Sequence, residues 1–255
     1  MALKIHWADL HIHTVLSPCA EVDMGAPDVV ERARQLDIDV ISITDHNSAA
    51  NAEAFQQASL AWPRVIAGLE VQTMEDVHIV TLFESAAAAS AFQSWLWQKM
   101  GTIRNEPETF GLQLIIDKDN NILGEEETLL IQAADYTTDQ VVRRAKEMNG
   151  LVILAHLDRG AYSYSASLGP VPDSLPVDAL ELSPRAGEAD WKRWRALYPN
   201  RIFVRSSDSH TLQTMSRENC TPFLIEKASF AELAMAFRGE NGRRVLDPWT
   251  CEPQF

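Results

Sequence analysis

The sequence predicts an α/β protein whose main element is one closed parallel barrel wrapped by helices. Strand-like and helix-like segments alternate about seven times along the chain, which is the pattern of repeated strand–helix units. The strand segments are apolar throughout, as in sheets that are covered on both faces. A length of 255 residues suits an undivided barrel, and the chain shows neither an internal repeat nor a flexible linker. We therefore expect a single domain over 1–255.

The first half of the chain supplies four strands and three helices. One helix opens at Ala26 and Pro27, because proline is favoured in the first helical turn. Val29, Val30 and Ala33 continue it at helical spacing. The predicted strands are 4–11, 38–44, 65–69 and 77–83, and the other predicted helices are 49–61 and 86–100.

The alternation is interrupted over 101–136, where we expect an insertion that contains a hairpin. Its strands are 112–116 and 122–123, and the Asx-rich segment between them is typical of a turn. Beyond the insertion, a helix over 138–148 ends at Asn149 and Gly150, a common stop signal. The remaining predicted strands are 151–155, 179–182 and 202–206, and the remaining helices are 190–197 and 230–237.

Composition argues against several functional classes. Acidic residues outnumber basic ones by 36 to 22, so a stable complex with nucleic acid, which needs basic side chains on the phosphates, is not expected. A small anionic substrate is compatible with this charge, because bound divalent metal ions reverse its sign locally. The three cysteines predict no disulfide framework and favour a cytoplasmic location. We expect no signal peptide and no membrane-spanning segment, and the oligomeric state stays open.

Side chains with metal-binding chemistry come at the ends of the predicted strands. Asp9, His11 and His13 alternate with apolar residues, so they share one face of an extended strand. The carboxyl ends of barrel strands meet at one mouth, where function resides. Imidazole and carboxylate together suit Zn, Mn or Fe, and the donors exceed the needs of one ion, which predicts two or three divalent metal ions. The polar residues at or beside strand ends are His11, His13, Asp45, His46, Glu70, His78, His156, Asp208 and His210.

Five short segments, in this order, give the chain a resemblance to a known family. They are Asp-Leu-His-Ile-His-Thr at 9–14, Thr-Asp-His at 44–46, Gly-Leu-Glu at 68–70, Ala-His at 155–156 and Ser-Asp-Ser-His at 207–210. The chain resembles the PHP superfamily, the polymerase and histidinol phosphatase phosphoesterases, over most of its length. The resemblance implies a distorted (β/α)7 TIM-like barrel with a site of two or three metal ions that hydrolyses phosphate esters.

The resemblance also implies which residues hold the metal ions. Related phosphatases often carry histidine at the position of Cys19. A thiolate there favours a soft ion such as zinc, but Cys19 is equally compatible with a small buried apolar role, which would leave the third site weak or empty. The implied first site is His11, His13, Glu70 and Asp208, the second shares Glu70 and adds His78 and His156, and the third is His46, His210 and Cys19.

Further residues are candidates for supporting the chemistry. Asp9 and Asp45 are interpreted as acceptors that orient the imidazoles, and protonation of the leaving group is the alternative role for Asp45. Arg159 and Arg185 are the candidates for binding the phosphate, and Arg205 is a third.

The leading hypothesis is a metal-dependent phosphoesterase that hydrolyses a small phosphorylated metabolite or nucleotide with a water activated by two metal ions. One alternative is a nuclease that trims nucleic-acid ends. The other is a non-catalytic metal-binding module that regulates a partner. No specificity motif in the sequence identifies the substrate.

Overall fold

The computed structural model describes residues 2–251 and contains one large mixed sheet of nine strands together with a separate two-stranded sheet. In the large sheet the strand order is β11-β10-β1-β2-β3-β4-β7-β8-β9, and β5 pairs with β6. The strands are β1 (Lys4–Ile12), β2 (Val40–Ile43), β3 (Arg64–Gln72), β4 (His78–Phe83), β5 (Leu114–Ile116), β6 (Ile122–Glu125), β7 (Leu151–Leu154), β8 (Ala179–Leu182), β9 (Phe203–Arg205), β10 (Thr221–Ile225) and β11 (Arg244–Val245).

Helices connect most of the strands. The long predicted helix over 86–100 ends at Leu96 and continues as a single 3-10 turn, Trp97–Lys99. The helices are α1 (Ala26–Gln35), α2 (Ala52–Ser59), α3 (Ala86–Leu96), α4 (Pro107–Phe110), α5 (Thr138–Glu147), α6 (Tyr164–Ser167), α7 (Glu188–Leu197) and α8 (Phe230–Arg238), and further 3-10 turns are Arg217–Asn219 and Glu240–Gly242.

The distorted TIM-like α/β barrel is confirmed, but the expectation that all of its strands are parallel is wrong. β1, β2 and β3 run parallel, and so do β7, β8 and β9, whereas β4 is antiparallel to both of its neighbours. Only 73–77 lies between β3 and β4, which is too short for the crossover that parallel strands require. β10 adds a further antiparallel strand beside β1.

The barrel is closed by a few contacts between the end of β1 and the segment after β9. These two segments do not form a continuous ladder of backbone hydrogen bonds. Ile12 pairs with Ser209 in an isolated parallel bridge, and the amide of His13 donates to the carbonyl of Ser209 at 2.9 Å. Below this bridge, the hydroxyl of Thr221 accepts from the amide of Arg205 and donates to its carbonyl, each at 2.7 Å. These contacts hold the segment after β9 next to the end of β1.

The interior of the barrel is occupied by buried apolar side chains. Leu10, Ile66, Val80, Ile153 and Phe223 are among its fully buried side chains. Two further clusters of buried apolar side chains lie between the sheet and the surrounding helices. The interior is therefore a packed core, and the polar groups lie at its carboxyl end.

The insertion contains an antiparallel hairpin, β5 and β6, whose turn is held by the carboxylate of Asp117. The hairpin packs against the loop that follows β1, since the amide of Leu114 donates to the carbonyl of Val15 at 2.9 Å. Gly111 lies so close to this loop that a Cβ atom would be 2.0 Å from the carbonyl oxygen of Pro18, and its φ of +108° also favours glycine. The insertion thus forms one side of the barrel mouth.

Candidate metal centre

The end of β1 places two imidazoles side by side. Nδ1 of His11 lies 3.0 Å from a carboxylate oxygen of Glu181, and Nδ1 of His13 lies 3.0 Å from the hydroxyl of Ser17. That hydroxyl donates its one hydrogen to the carboxylate of Asp45 at 2.7 Å, so it accepts from His13. Both imidazoles therefore use Nδ1 as a hydrogen-bond donor and turn Nε2 towards the centre, where it can bind either a proton or a metal ion.

The two free ring nitrogens point into the same space. Nε2 of His11 and Nε2 of His13 are 3.2 Å apart, and both residues are completely buried. Two lone pairs at this distance repel one another unless a cation lies between or beside them. An Nδ1–H held by a carboxylate or hydroxyl and a free Nε2 is also the usual form of a metal-binding histidine. The arrangement fits a divalent metal ion.

Glu70, at the carboxyl end of β3, lies at the centre of the site. Its carboxylate is 1% exposed and touches imidazoles from four different parts of the chain. Five imidazoles exceed the number of hydrogen-bond donors that the roughly four lone-pair sites of a carboxylate can accept. The distances from its oxygens are 3.3 Å to His11, 3.4 Å to His13, 3.0 Å to His46, 3.0 Å to His78 and 3.2 Å to His156.

The segment after β9 closes the other side of the centre. One oxygen of Asp208 lies 3.5 Å from Nε2 of His11 and 3.3 Å from Nε2 of His13. The other oxygen accepts from Arg159 at 2.7 Å. Nδ1 of His210 donates to the carbonyl of Asp208 at 2.9 Å, which leaves its Nε2 free, and its ring stacks on that of His13 with centroids 4.1 Å apart.

Three of the residues that line the centre have a left-handed backbone. The φ angles are +50° at Asn47, +30° at His156 and +48° at Asp208, a region in which residues other than glycine are strained. Each residue comes just after a strand end, where the chain must turn sharply. Left-handed residues thus occur at this site as well as at other turns of the chain, such as those at Asp37 and Leu60.

The carboxylates make the centre attractive to positive charge. Burial and His13 act to lower the pKa of His46, but Glu70 and other partners raise it to about 9. Burial opposes the charged form of His13 as well, yet Asp208 and Glu70 raise its pKa to about 9. Burial opposes the ionisation of Glu70 itself, but the surrounding imidazoles hold its pKa well below the usual value. Metal ions would take the place of these protons.

The geometry defines three groups of donors that could each hold an ion. The donor atoms within each group lie within 4.8 Å of one another. Asp208 and His156 adjoin these groups through the contacts given above. The groups are His13, His46 and His210; His11, His13 and Glu70; and His46, Glu70 and His78.

Cys19 is next to this cluster but is not one of those donors. The residue is exposed, and its proximity to His46 acts to raise the pKa of that imidazole. The structure thus places Cys19 beside one member of the implied third site and excludes the small buried apolar role.

The structure gives Asp45 a supporting position. One oxygen accepts from the amide of Thr14 and the hydroxyl of Ser17, and the other accepts from the hydroxyl of Thr14, all at 2.7 Å. The carboxylate is 1% exposed and reaches His13 only through Ser17. Asp9 forms no hydrogen bond or ion pair with any described imidazole, contrary to expectation, and instead accepts from the amide of Ser207 at 2.9 Å.

Among the arginine candidates only Arg159 contacts the centre. Arg185 is exposed, and its guanidinium forms neither a hydrogen bond nor an ion pair with any described residue. Arg205 points away from the barrel, because the preceding residue, Val204, faces the interior. The prediction that Arg205 lies at the phosphate is therefore wrong.

The sequence interpretation missed Glu181. This carboxylate is 1% exposed and accepts from Nδ1 of His11 at 3.0 Å and from the amide of His156 at 3.1 Å. It lies within the apolar strand Ala-Leu-Glu-Leu of β8. An acidic residue inside a strand buried on both faces was the signal that pointed to a buried partner.

Comparison with protein families decides the wider class. The PHP domain matches residues 9–159, more than half of the chain. The chain belongs to the PHP domain family. Members of this family are metal-dependent hydrolases that bind several divalent metal ions. The matched segment includes most of the centre, from His11 to His156, and ends before Asp208 and His210.

Solved structures share the fold of this PHP domain at low sequence identity. A lesion-specific endonuclease from Pyrococcus furiosus superposes with a TM-score of 0.68 at 18% identity, and the match covers 96% of this chain and 60% of that one. A protein from Bifidobacterium adolescentis described as a metal-dependent phosphoesterase gives 0.56 at 16% identity, with 80% and 87% covered. The PHP chain thus spans about 60% of the length of the endonuclease.

A search of curated protein sequences found no significant match to this PHP domain. Among the described residues, no helix has the length and apolar character needed to cross a bilayer.

Proposed function

We propose that this PHP domain is a metal-dependent phosphoesterase that hydrolyses a small phosphorylated metabolite or nucleotide. The observation that carries the proposal is the buried carboxylate of Glu70 in contact with five imidazoles. A carboxylate in this position can bridge two metal ions, and pairs of ions are the usual means of activating water against a phosphate ester.

The chain's residues fit ions of Zn, Mn or Fe, because the donors are imidazoles and carboxylates. When bound, such ions supply an acidified water molecule and positive charge for the phosphate oxygens. The proposed ligands are His11, His13, Glu70 and Asp208 for the first ion, Glu70, His78 and His156 for the second, and His46, His210 and Cys19 for the third.

Arg159 is the proposed phosphate-binding residue. Its side chain is 37% exposed, and one of its five N–H groups is used by Asp208. The guanidinium is thereby held next to a proposed ligand and keeps N–H groups for a phosphate, which it can bind in a bidentate way. Arg185 is the second candidate, since its exposed side chain follows the end of β8.

Asp45 is proposed to position His13 rather than to protonate the leaving group. Its two oxygens already accept three hydrogen bonds, and the residue is almost completely buried. Through Ser17 it fixes the tautomer of His13, and that tautomer presents the free Nε2 to the centre.

The experiment is a phosphate-release assay on purified protein loaded with Zn, Mn or Fe. Nucleoside monophosphates and histidinol phosphate form the first substrate panel. We expect turnover of at least one ester and its loss in Glu70→Gln, with metal content measured in both proteins. Metal-dependent stabilisation without turnover of any ester would overturn the phosphoesterase proposal and favour a non-catalytic module.

Nuclease activity is the second candidate, because the structural match to the lesion-specific endonuclease covers 96% of this chain. The formal charge of −14 opposes binding along a nucleic-acid backbone. An end-labelled oligonucleotide, offered to the same metal-loaded protein, distinguishes the two: shortening of the strand supports the nuclease, and an intact strand with phosphate release supports the phosphoesterase.

A further inference from the structure

Arg205 is a buried cation without a carboxylate partner. It is 7% exposed and is the only Lys or Arg in the buried class among residues 2–251. Its guanidinium donates to the backbone carbonyls of Glu218 at 3.0 Å and Pro184 at 2.8 Å, while Nε has no acceptor among the described residues. No described carboxylate lies within 4.0 Å of it, although the chain is strongly acidic.

Such a group is costly to bury. Removing a charge from water is strongly unfavourable unless it is paired, and two neutral carbonyls offset only part of that loss. The indole of Trp249, 5.1 Å from the guanidinium carbon, adds a cation–π interaction but no negative charge. The environment of Arg205 therefore favours an anionic partner.

A cavity of about 430 Å³ opens directly beside this guanidinium, on the outside of the barrel wall. A second guanidinium, that of Arg217, lies over the indole of Trp7 at 5.0 Å, and within residues 2–251 its Nε also lacks an acceptor. The cavity is thus bordered by two arginines, each stacked on a tryptophan. Its lining residues are Trp7, Arg205, Arg217, Glu218, Pro248, Trp249 and Cys251.

We propose that this cavity binds a small organic anion. The carboxylate or phosphate of the ligand would be held by Arg205 and Arg217, since both groups match guanidinium geometry. A planar apolar body would pack against the indoles of Trp7 and Trp249. None of the lining residues is a proposed metal ligand, so the site is distinct from the metal centre.

The test is a titration of the full chain, without added metal, followed through the indole N–H signals of its seven tryptophans. The probes are indole-3-acetate and adenosine monophosphate, each compared with a neutral counterpart, indole-3-acetamide or adenosine. We expect at least one anion to shift the signals of Trp7 and Trp249 saturably, and the neutral counterparts to leave them in place. The two anions show whether a carboxylate or a phosphate is preferred.

Two variants and one control examine the arginines. Arg205→Gln should abolish the shift, and Arg217→Gln, which alters a partly exposed side chain and keeps the fold, should weaken binding about tenfold by removing a charge-assisted contact. Arg193→Gln is the matched control, because its exposed side chain pairs with Asp190 and lies outside the cavity.

Three results would overturn the proposal. They are equal shifts with the neutral probes, unchanged binding in Arg217→Gln, and shifts confined to Trp97. The last indole donates to the carbonyl of Asn47 beside the metal centre and would report binding there instead. Phosphatase activity is not part of the readout, so the outcome is independent of the proposed function.

Discussion

Ser17 is the residue through which the buried carboxylate of Asp45 controls His13, and its replacement by alanine tests that connection. The hydroxyl donates to Asp45 at 2.7 Å and accepts from Nδ1 of His13 at 3.0 Å and from the amide of His46 at 3.2 Å. Ser17→Ala therefore leaves two buried donors without an acceptor.

The expected loss of unfolding free energy is about 2–4 kcal/mol, because each buried donor left unpaired costs about 1–3 kcal/mol and water offsets part of this. The free energy is measured by urea unfolding of the metal-free chain. The imidazole of His13 is no longer held in one tautomer, so zinc affinity should fall about 10- to 100-fold, measured by calorimetry.

Ser42→Ala is the matched control for this substitution. Ser42 is also completely buried, but its hydroxyl has no hydrogen-bond partner among the described residues, so its removal should leave stability and zinc affinity nearly unchanged. If Ser17→Ala matched Ser42→Ala in both measurements, the proposed control of His13 through Ser17 would be refuted.

Three further substitutions probe other parts of the molecule. Glu181→Gln weakens the hydrogen bond to Nδ1 of His11 and should lower zinc affinity about 10- to 100-fold. Glu232 is a buried carboxylate paired with Arg243, and the control Glu232→Gln should leave zinc affinity unchanged. Equal zinc affinities of the two variants in calorimetry would contradict this prediction. Arg159→Gln should lower kcat/KM for a phosphate ester about tenfold or more. The free energy of unfolding should stay within about 1 kcal/mol, because the ion pair of Arg159 with Asp208 is partly exposed. An unchanged kcat/KM in steady-state kinetics would show that Arg159 does not bind the phosphate. Phe92→Ala opens a cavity where the ring packs 5.1 Å from that of Phe83 and should cost about 3–5 kcal/mol in urea unfolding; a loss below 1 kcal/mol would show that the contact is not part of the core.

Much of the fold followed from local signals in the sequence. Apolar runs such as 151–155 and helix stops such as Asn149 and Gly150 act within a few residues, and the observed β7 and α5 agree with them. The direction of β4 depends on the length of its connection to β3, and the predicted connection over 70–76 was already too short for a parallel crossover. β10 was not predicted, since Pro222 within it lacks an N–H and disfavours a strand; it pairs with Trp7 at that position.

The residues of the candidate centre could be predicted from the sequence, but the hydrogen bonds that orient them could not. The alternation of His11 and His13, together with polar residues at strand ends, was enough to predict that the metal-binding side chains lie at one end of the barrel. The partners Glu181 and Ser17 come from β8 and from a loop, so their contacts depend on three-dimensional register. Register also decides that Arg205 faces outward while Asp208, three residues later, faces the centre.

The metal content of the purified chain tests the central claim most directly. Elemental analysis after dialysis should find two or three divalent ions per chain, in keeping with the three groups of donors. Glu70→Gln should retain fewer ions, because the carboxylate of Glu70 is common to two of these groups. A wild-type chain that binds no ion, or a Glu70→Gln variant that keeps the full number, would contradict the account.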